Sequence, residues 1–427
     1  MPAVVVCTVA LMASACSSGA PGPSSPSSGA GVGAASSTGV TANTITIGSH
    51  QPLTGVAAPG YSEIAPASKA FFEDVNAHGG VDGRRIDYDY RDDSYDPTST
   101  ATVVRQLVLQ ENVFAIVNGL GTPTHLAVRG FLNAEAVPDL FVGSGCACWN
   151  QSDRYPETSG FQTDYIVEAK ITGRYIKDHF ARQRVGYLTQ NDDFGRDGVR
   201  GLDQQIPRSA VVSRQTYEPG APDVASQVAA LQASGAQVVV LYTLPEYTAL
   251  TLLAAAKLGY HPQIVVSSVG ADPTTLDGLL SSLSKGQTPP STNGIVTSGY
   301  LPSSSDTANR WIQLFERVHD QYVPNLPFDG NVVYGMAMAY TFVNLMEQSG
   351  RDPTRQSVIA ALKKADLAGP GLVPLSYAST SNSGYSGVQM GAIDNGRLTL
   401  SGPRYTATDN GSIGTFRGSQ PRPPSNL

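Results

Sequence analysis

The stretch VASQVAALQASGAQVVVLYTLPEYTALTLLAAAKLGYHPQIVVS (Val224–Ser267) reads as helix, strand, helix, strand. Val224–Ser234 and Tyr247–Leu258 are helical, while Val238–Tyr242 and Ile264–Ser267 are short apolar β-type runs. Strands separated by helical stretches of roughly 10–15 residues do not pair as hairpins. They call for a parallel sheet with helices on both faces.

The same rhythm extends outward. Immediately upstream, Asp164–Phe180 and Gly198–Gln205 are helical, and Arg184–Thr189 and Ala210–Tyr217 are strands. Nearer the amino terminus, Ile45–Gly48 is a strand. A helix follows with Ile64, Phe71, Phe72 and Val75 inward, stopping at Gly79-Gly80. Arg85–Tyr90, Val113–Val117 and Asp139–Val142 are further strands, with a helix at Thr98–Gln110. Downstream, Gly294–Gly299 opens another unit, followed by helices at Asp306–Tyr322, Gly330–Ser349 and Pro353–Ala365. The β-type runs Leu372–Tyr377, Gly387–Ile393 and Arg397–Leu400 come last. The expected fold class is α/β, with two doubly wound parallel-sheet lobes.

The first forty residues are of another kind. Ala3–Ala15 is mostly apolar and ends in small residues at Cys16. LMASAC resembles a lipoprotein signal, in which Cys16 receives the lipid, although Ala13 stands where Leu is usual and no basic residue precedes the run. A plain secretory signal with an incidental cysteine is the alternative. Ser17–Thr44 has no charged or aromatic residue and cannot bury enough apolar surface to fold, so a flexible tether is expected. The only contact with a membrane would then be the lipid anchor, holding the protein on the outer face of the cell membrane.

Composition narrows the rest. Of 427 residues, 41% are hydrophobic and 15% charged, as in ordinary globular proteins. The net charge of −7 offers no electrostatic footprint for nucleic acid. No apolar run reaches the ~20 residues of a spanning helix. Of the four cysteines, Cys7 leaves with the signal and Cys146 and Cys148 remain in GCACW. In an oxidising compartment they form a tight disulfide or stay as free thiols. A metal site would need further ligands, and the six histidines are scattered. No metal or cofactor is expected.

In open α/β sheets, ligands bind beyond the carboxyl ends of the strands. That nominates the loops Ser49–Tyr61, Arg91–Pro97, Asn118–Thr124 and Gly143–Trp149, then Gln190–Gly195, Thr243–Tyr247 and Ser267–Asp272. Each is also readable as an ordinary turn. Catalytic signatures are scarce: there is no G-x-S-x-G elbow, phosphate-binding P-loop or G-x-G-x-x-G. Asp92-Asp93 and Asp192-Asp193 are adjacent pairs that read as helix caps or loop anchors rather than an acid/base couple.

ITIGSHQPLTG, HGGVDGRRIDYDYRDDSYDP, AIVNGLGTPT, VPDLFVGSG, QNDDFGRDG and AAAKLGYHPQIVVSS, in this order and spacing, resemble the leucine/isoleucine/valine-binding protein family of ABC importers. The resemblance runs from Ile45 to Arg397 and implies two lobes joined by three crossing segments with a ligand cleft between them. Those segments are expected near Phe161–Asp164, Thr297–Tyr300 and Pro374–Ala378. Lobe 1 would then comprise 45–163 with 297–376, and lobe 2 would comprise 164–296 with 377–427.

The resemblance also implies a site. Relatives hold a ligand carboxylate through two first-lobe loops, here Thr122 and Thr124, and Gly145, Cys146 and Ala147. Ala147 stands where a hydroxyl is usual. Tyr61 falls near an aromatic wall and Phe194 at the aromatic that covers the ligand. Thr243 and Ser268 follow second-lobe strands; Ser268 occupies the place of the acid that pairs a ligand ammonium, and Asp272 is close by. The implied function is non-catalytic capture of a small polar solute, such as an amino acid or amide, by hinge closure. An ABC permease and ATPase complex would receive it. The alternatives are a sensory receptor of the same fold or a secreted hydrolase.

Overall fold

The computed structural model describes residues 37–375 and 377–425. The lipidation candidate Cys16, Cys7 and most of the expected tether lie outside the described residues. In the first half, β1 (Thr44–Gln51) leads through the single turn α1 (Ala58–Tyr61) into α2 (Ile64–Ala77) and β2 (Arg85–Asp92). Then come α3 (Pro97–Leu109), β3 (Ile116–Val117), α4 (Thr122–Ala134), β4 (Asp139–Val142) and β5 (Thr158–Gly160). These five strands form one wholly parallel sheet in the order β2-β1-β3-β4-β5.

The second half begins with α5 (Tyr165–His179), β6 (Val185–Gln190), α6 (Asp193–Leu202), β7 (Val211–Tyr217) and α7 (Ala225–Ala233). It continues with β8 (Val238–Tyr242), α8 (Pro245–Lys257), β9 (Gln263–Val266), α9 (Pro273–Leu283) and β10 (Val296–Gly299). Every residue of β8 is buried, as a central strand covered on both faces requires. Helices α10 (Arg310–Tyr322), α11 (Gly330–Gln348) and α12 (Arg355–Leu362) follow, then β11 (Gly387–Asp394), β12 (Arg397–Thr406) and β13 (Gly414–Phe416). The second sheet has the order β13-β12-β11-β10-β9-β8-β6-β7. Its β7-to-β10 part is parallel, and β11 to β13 add three antiparallel strands at the β10 edge.

Helices α10 and α11 return to the first sheet. Phe71 and Phe72 of α2 meet Phe315 of α10 and Phe342 of α11 edge to face, at 6.1 and 5.9 Å between ring centres. The chain therefore passes between the two lobes three times: after β5, after β10 and before β11. Thr297–Gly299 pair with Met390, Gly391 and Gln389 inside the second sheet, so the second passage starts at Tyr300 rather than at Thr297. Among the described residues of Leu372–Tyr377 no strand forms, only the isolated bridge Leu375–Tyr385. Helix α6 begins at Asp193 rather than Gly198, because the Asp192 carboxylate accepts from the Gly195 N–H and caps it.

Strand order reverses between β1 and β3 in the first sheet and between β6 and β8 in the second. Such switch points open a crevice at the carboxyl ends of their strands. Here the two crevices face each other.

Candidate functional site

A cavity of about 150 Å³ lies between the facing strand ends. Tyr61, Thr122 and Tyr334 wall it from the first lobe, and Tyr165, Phe194 and Ser268 from the second. The lobes touch around it. The Tyr61 hydroxyl donates to the Val269 carbonyl at 2.7 Å, the Gly330 N–H to Asp272 at 3.0 Å, and the Ala147 N–H to Asp197 at 2.9 Å. These bonds cross the cleft, so this is a closed arrangement.

Four of the nine residues nominated from sequence line the cavity: Tyr61, Thr122, Phe194 and Ser268. The other five do not. Thr124 sits one turn into α4 and donates its hydroxyl to the Leu120 carbonyl at 2.6 Å. Gly145 is packed so tightly that a Cβ there would come within 2.3 Å of the Thr163 carbonyl. Cys146 and Cys148 are paired with each other, their Cα atoms 5.1 Å apart, and Ala147 between them serves the cleft contact to Asp197. Thr243 shares a hydrogen bond of 2.6 Å with Thr248 behind the wall. Thr124 and Thr243 thus spend their hydroxyls on local partners that no motif shows.

Phe194 is not in a free loop but in the first turn of α6, 2% exposed. Its ring lies 4.6 Å from Tyr165 and 5.6 Å from Tyr242, both of its own lobe. It belongs to cavity wall and core at once.

Beneath the second-lobe wall lies Glu168, which the sequence reading did not single out. Its carboxylate accepts from the Ser268 N–H and the Ser298 hydroxyl, each at 2.7 Å. Burial pushes its pKa up, and these two donors oppose that rise. At the rim, Asp272 of the second lobe meets Glu63 and Asp329 of the first. Burial, and then the charges of Asp272 and Glu63, push Asp329 up to about 9. Glu63 is also raised, by burial first.

An unfolded aspartate titrates near 4, so the folded chain binds more protons than the unfolded one between about pH 4 and 9. Stability from Asp329 is full below that window and is lost as pH rises through it. Melting temperature is expected to fall from pH 5 to 8.5, with Asp329→Asn flattening that slope. An unchanged slope in the variant would assign the effect elsewhere.

Under the first-lobe wall runs a second feature absent from the sequence reading. Asp93, His50, His125 and Asp139 form a chain of hydrogen bonds of 2.7, 2.9 and 2.9 Å, and all four side chains are buried. Gly119 covers the central link: a Cβ there would stand 2.5 Å from both His50 Nε2 and His125 Nδ1. As for the adjacent acids, Asp92 anchors the loop by accepting from Leu53, Thr54 and Ser94.

The sequence profile described as periplasmic binding protein matches residues 44–397. Leu/Ile/Val-binding protein homolog 7 of Brucella melitensis is 24% identical over 239 residues, 53% of this chain and 59% of that protein. Leu/Ile/Val-binding protein homolog 8 of Brucella suis is 26% identical over 259 residues, 57% and 63% respectively. The matches thus span less than two thirds of these relatives. A branched chain amino acid ABC transporter protein from Thermus thermophilus, solved with bound valine, superposes with a TM-score of 0.74 at 16% identity. It covers 86% of this chain and 97% of that one. A fatty acid ABC transporter substrate-binding protein from Thermomonospora curvata also reaches 0.74, at 22% identity, over 89% and 98%. At these identities the superpositions speak for the fold. The profile covers most of the chain, including both switch-point sheets and the cavity between them: the chain belongs to the periplasmic binding protein family.

Proposed function

We propose that this protein captures a small polar solute, an amino acid, amide or related compound, outside the cytoplasmic membrane and hands it to an ABC permease and ATPase complex. The observation that carries the reading is the cavity itself, walled from both lobes at their facing switch points. A cavity of ~150 Å³ is of the size that takes a benzene-sized ligand, which suits a compact solute better than a long acyl chain. The ligand stabilises the closed state because only there does it touch both walls. The bodies that move are lobe 1 (45–163 with 300–375) and lobe 2 (164–299 with 377–425), residues 297–299 going with lobe 2 rather than with lobe 1 as the sequence suggested, and the three passages between them are the hinge.

Thr122 tests the site. Its hydroxyl lines the cavity and shares a 2.7 Å hydrogen bond with Ser144, which orients it. Loss of a hydroxyl bonded to a charged ligand group costs about 1.5–3 kcal/mol, roughly ten- to hundredfold in affinity. A thermal-shift screen over amino acids, amides, polyamines and small carboxylates should find the solute. Small-angle scattering should show compaction on binding, and calorimetry should show the loss for Thr122→Ala. A folded variant of unchanged affinity would move the site; a bound solute without compaction would end the hinge reading.

We also infer that Cys16 is lipidated, from the apolar run ending in ASAC and the uncharged segment beyond it. Two acyl chains, at ~0.8 kcal/mol per buried methylene, anchor far better than one. Globomycin should leave a larger precursor, and Cys16→Ser should release the protein. Intact, unmodified Cys16 in soluble wild-type protein would end that inference.

A further inference from the structure

The walls of the cavity restrict the charge of what it holds. Six aromatic rings line it: Tyr61, Tyr95, Tyr165, Phe194, Tyr300 and Tyr334. Aromatic faces carry negative quadrupole charge and attract cations. Among the described residues, the lining includes one charged side chain, the carboxylate of Asp272, and no lysine, arginine or histidine.

The hydroxyls sharpen this. Tyr61 donates its proton to the Val269 carbonyl, Tyr334 to Asn118 Oδ1 and Ser298 to Glu168, each at 2.7 Å. With those protons committed, the three oxygens have only lone pairs left to offer. Thr297 Oγ1, 1% exposed and also in the lining, has no hydrogen-bond partner among the described residues. Thr122, the first residue of α4, also lines the cavity, and its hydroxyl suits a carbonyl oxygen elsewhere in the ligand. A buried anion without a cationic partner would nonetheless be costly, whereas a buried ammonium here meets rings, lone pairs and a carboxylate.

We propose that the solute is an organic cation: a protonated amine of net positive charge, whose N–H groups face Asp272 and Ser298 and whose carbon skeleton packs between the tyrosine rings. This rests on the reading of the cavity as the solute site.

Calorimetry on the full chain with charge-matched compounds tests it. The panel comprises isopentylamine, phenethylamine and leucinamide as cations; isovalerate and phenylacetate as anions; isovaleramide and phenylacetamide as neutral forms; and leucine as the zwitterion. Amines are expected to bind at least tenfold more tightly than the matched acids and amides. Asp272→Asn, which keeps an acceptor for the Thr275 N–H that the aspartate now caps, should weaken amines about ten- to hundredfold and amides little. If that variant melts too early, Tyr300→Leu serves, and should also weaken amines more than amides. Binding of acids, amides or leucine in preference to the amines overturns the cation inference and leaves the solute-binding reading standing. Failure of every compound, whatever its charge, overturns both.

Discussion

Asp139→Ala is expected to destabilise the protein by about 3–5 kcal/mol, the usual consequence of removing one partner from a buried charged network. Three hydrogen bonds link Asp93, His50, His125 and Asp139, all of them buried. Burial lowers the His50 pKa, and its hydrogen bond to Asp93 opposes that fall. Thr100 and Thr158 donate further hydroxyls to Asp93 and Asp139. Without Asp139, the buried His125 Nε2 loses its partner at 2.9 Å and the Thr158 hydroxyl loses its acceptor. Urea unfolding should show a lowered midpoint with an unchanged slope, and His125→Ala in the same background should add less than it costs alone. A loss below 1 kcal/mol would mean that the network does not hold this part of the fold together. Because His125 sits in the first turn of α4, the variant should also loosen the wall at Thr122.

Phe194→Ala should act twice. Its ring packs on Tyr165 and Tyr242 within the second lobe, so truncation is expected to cost about 3–5 kcal/mol of stability even without ligand. It also removes a wall that the ligand touches only on closure, so affinity and ligand-induced compaction should fall beyond what the apo loss explains. Melting curves of the empty protein give the first effect, and scattering with and without ligand gives the second. A destabilised variant that compacts normally would make Phe194 a core residue alone. An undiminished melting temperature with lost compaction would make it a lid alone.

Both predictions concern residues whose neighbours come from elsewhere in the chain. Phe194 was legible as a site candidate because it follows the β6 strand end; its double role was not, since Tyr242 reaches it from a different strand. His50, Asp93, His125 and Asp139 each look ordinary in sequence. His50 lies near the carboxyl end of β1, Asp93 follows β2, His125 is in the first turn of α4 and Asp139 opens β4; they meet because β2, β1, β3 and β4 are successive neighbours in one parallel sheet.

The sequence by itself determined the α/β alternation and the family, while the short strands β5 and β13 are too brief to leave a pattern in it. Hydrophobic period and turn residues report local burial, and strand ends follow directly from them. The tertiary structure alone decided which loop residues reach the cavity. Thr124 and Thr243 turn to local acceptors while Tyr165 and Tyr300 turn inward, because a side chain's partner depends on packing that no local pattern encodes. It also decided the charge of the cleft. Glu63 lies more than two hundred residues before Asp272 and Asp329, and the three come together only when two lobes, each folded on its own sheet, close against one another.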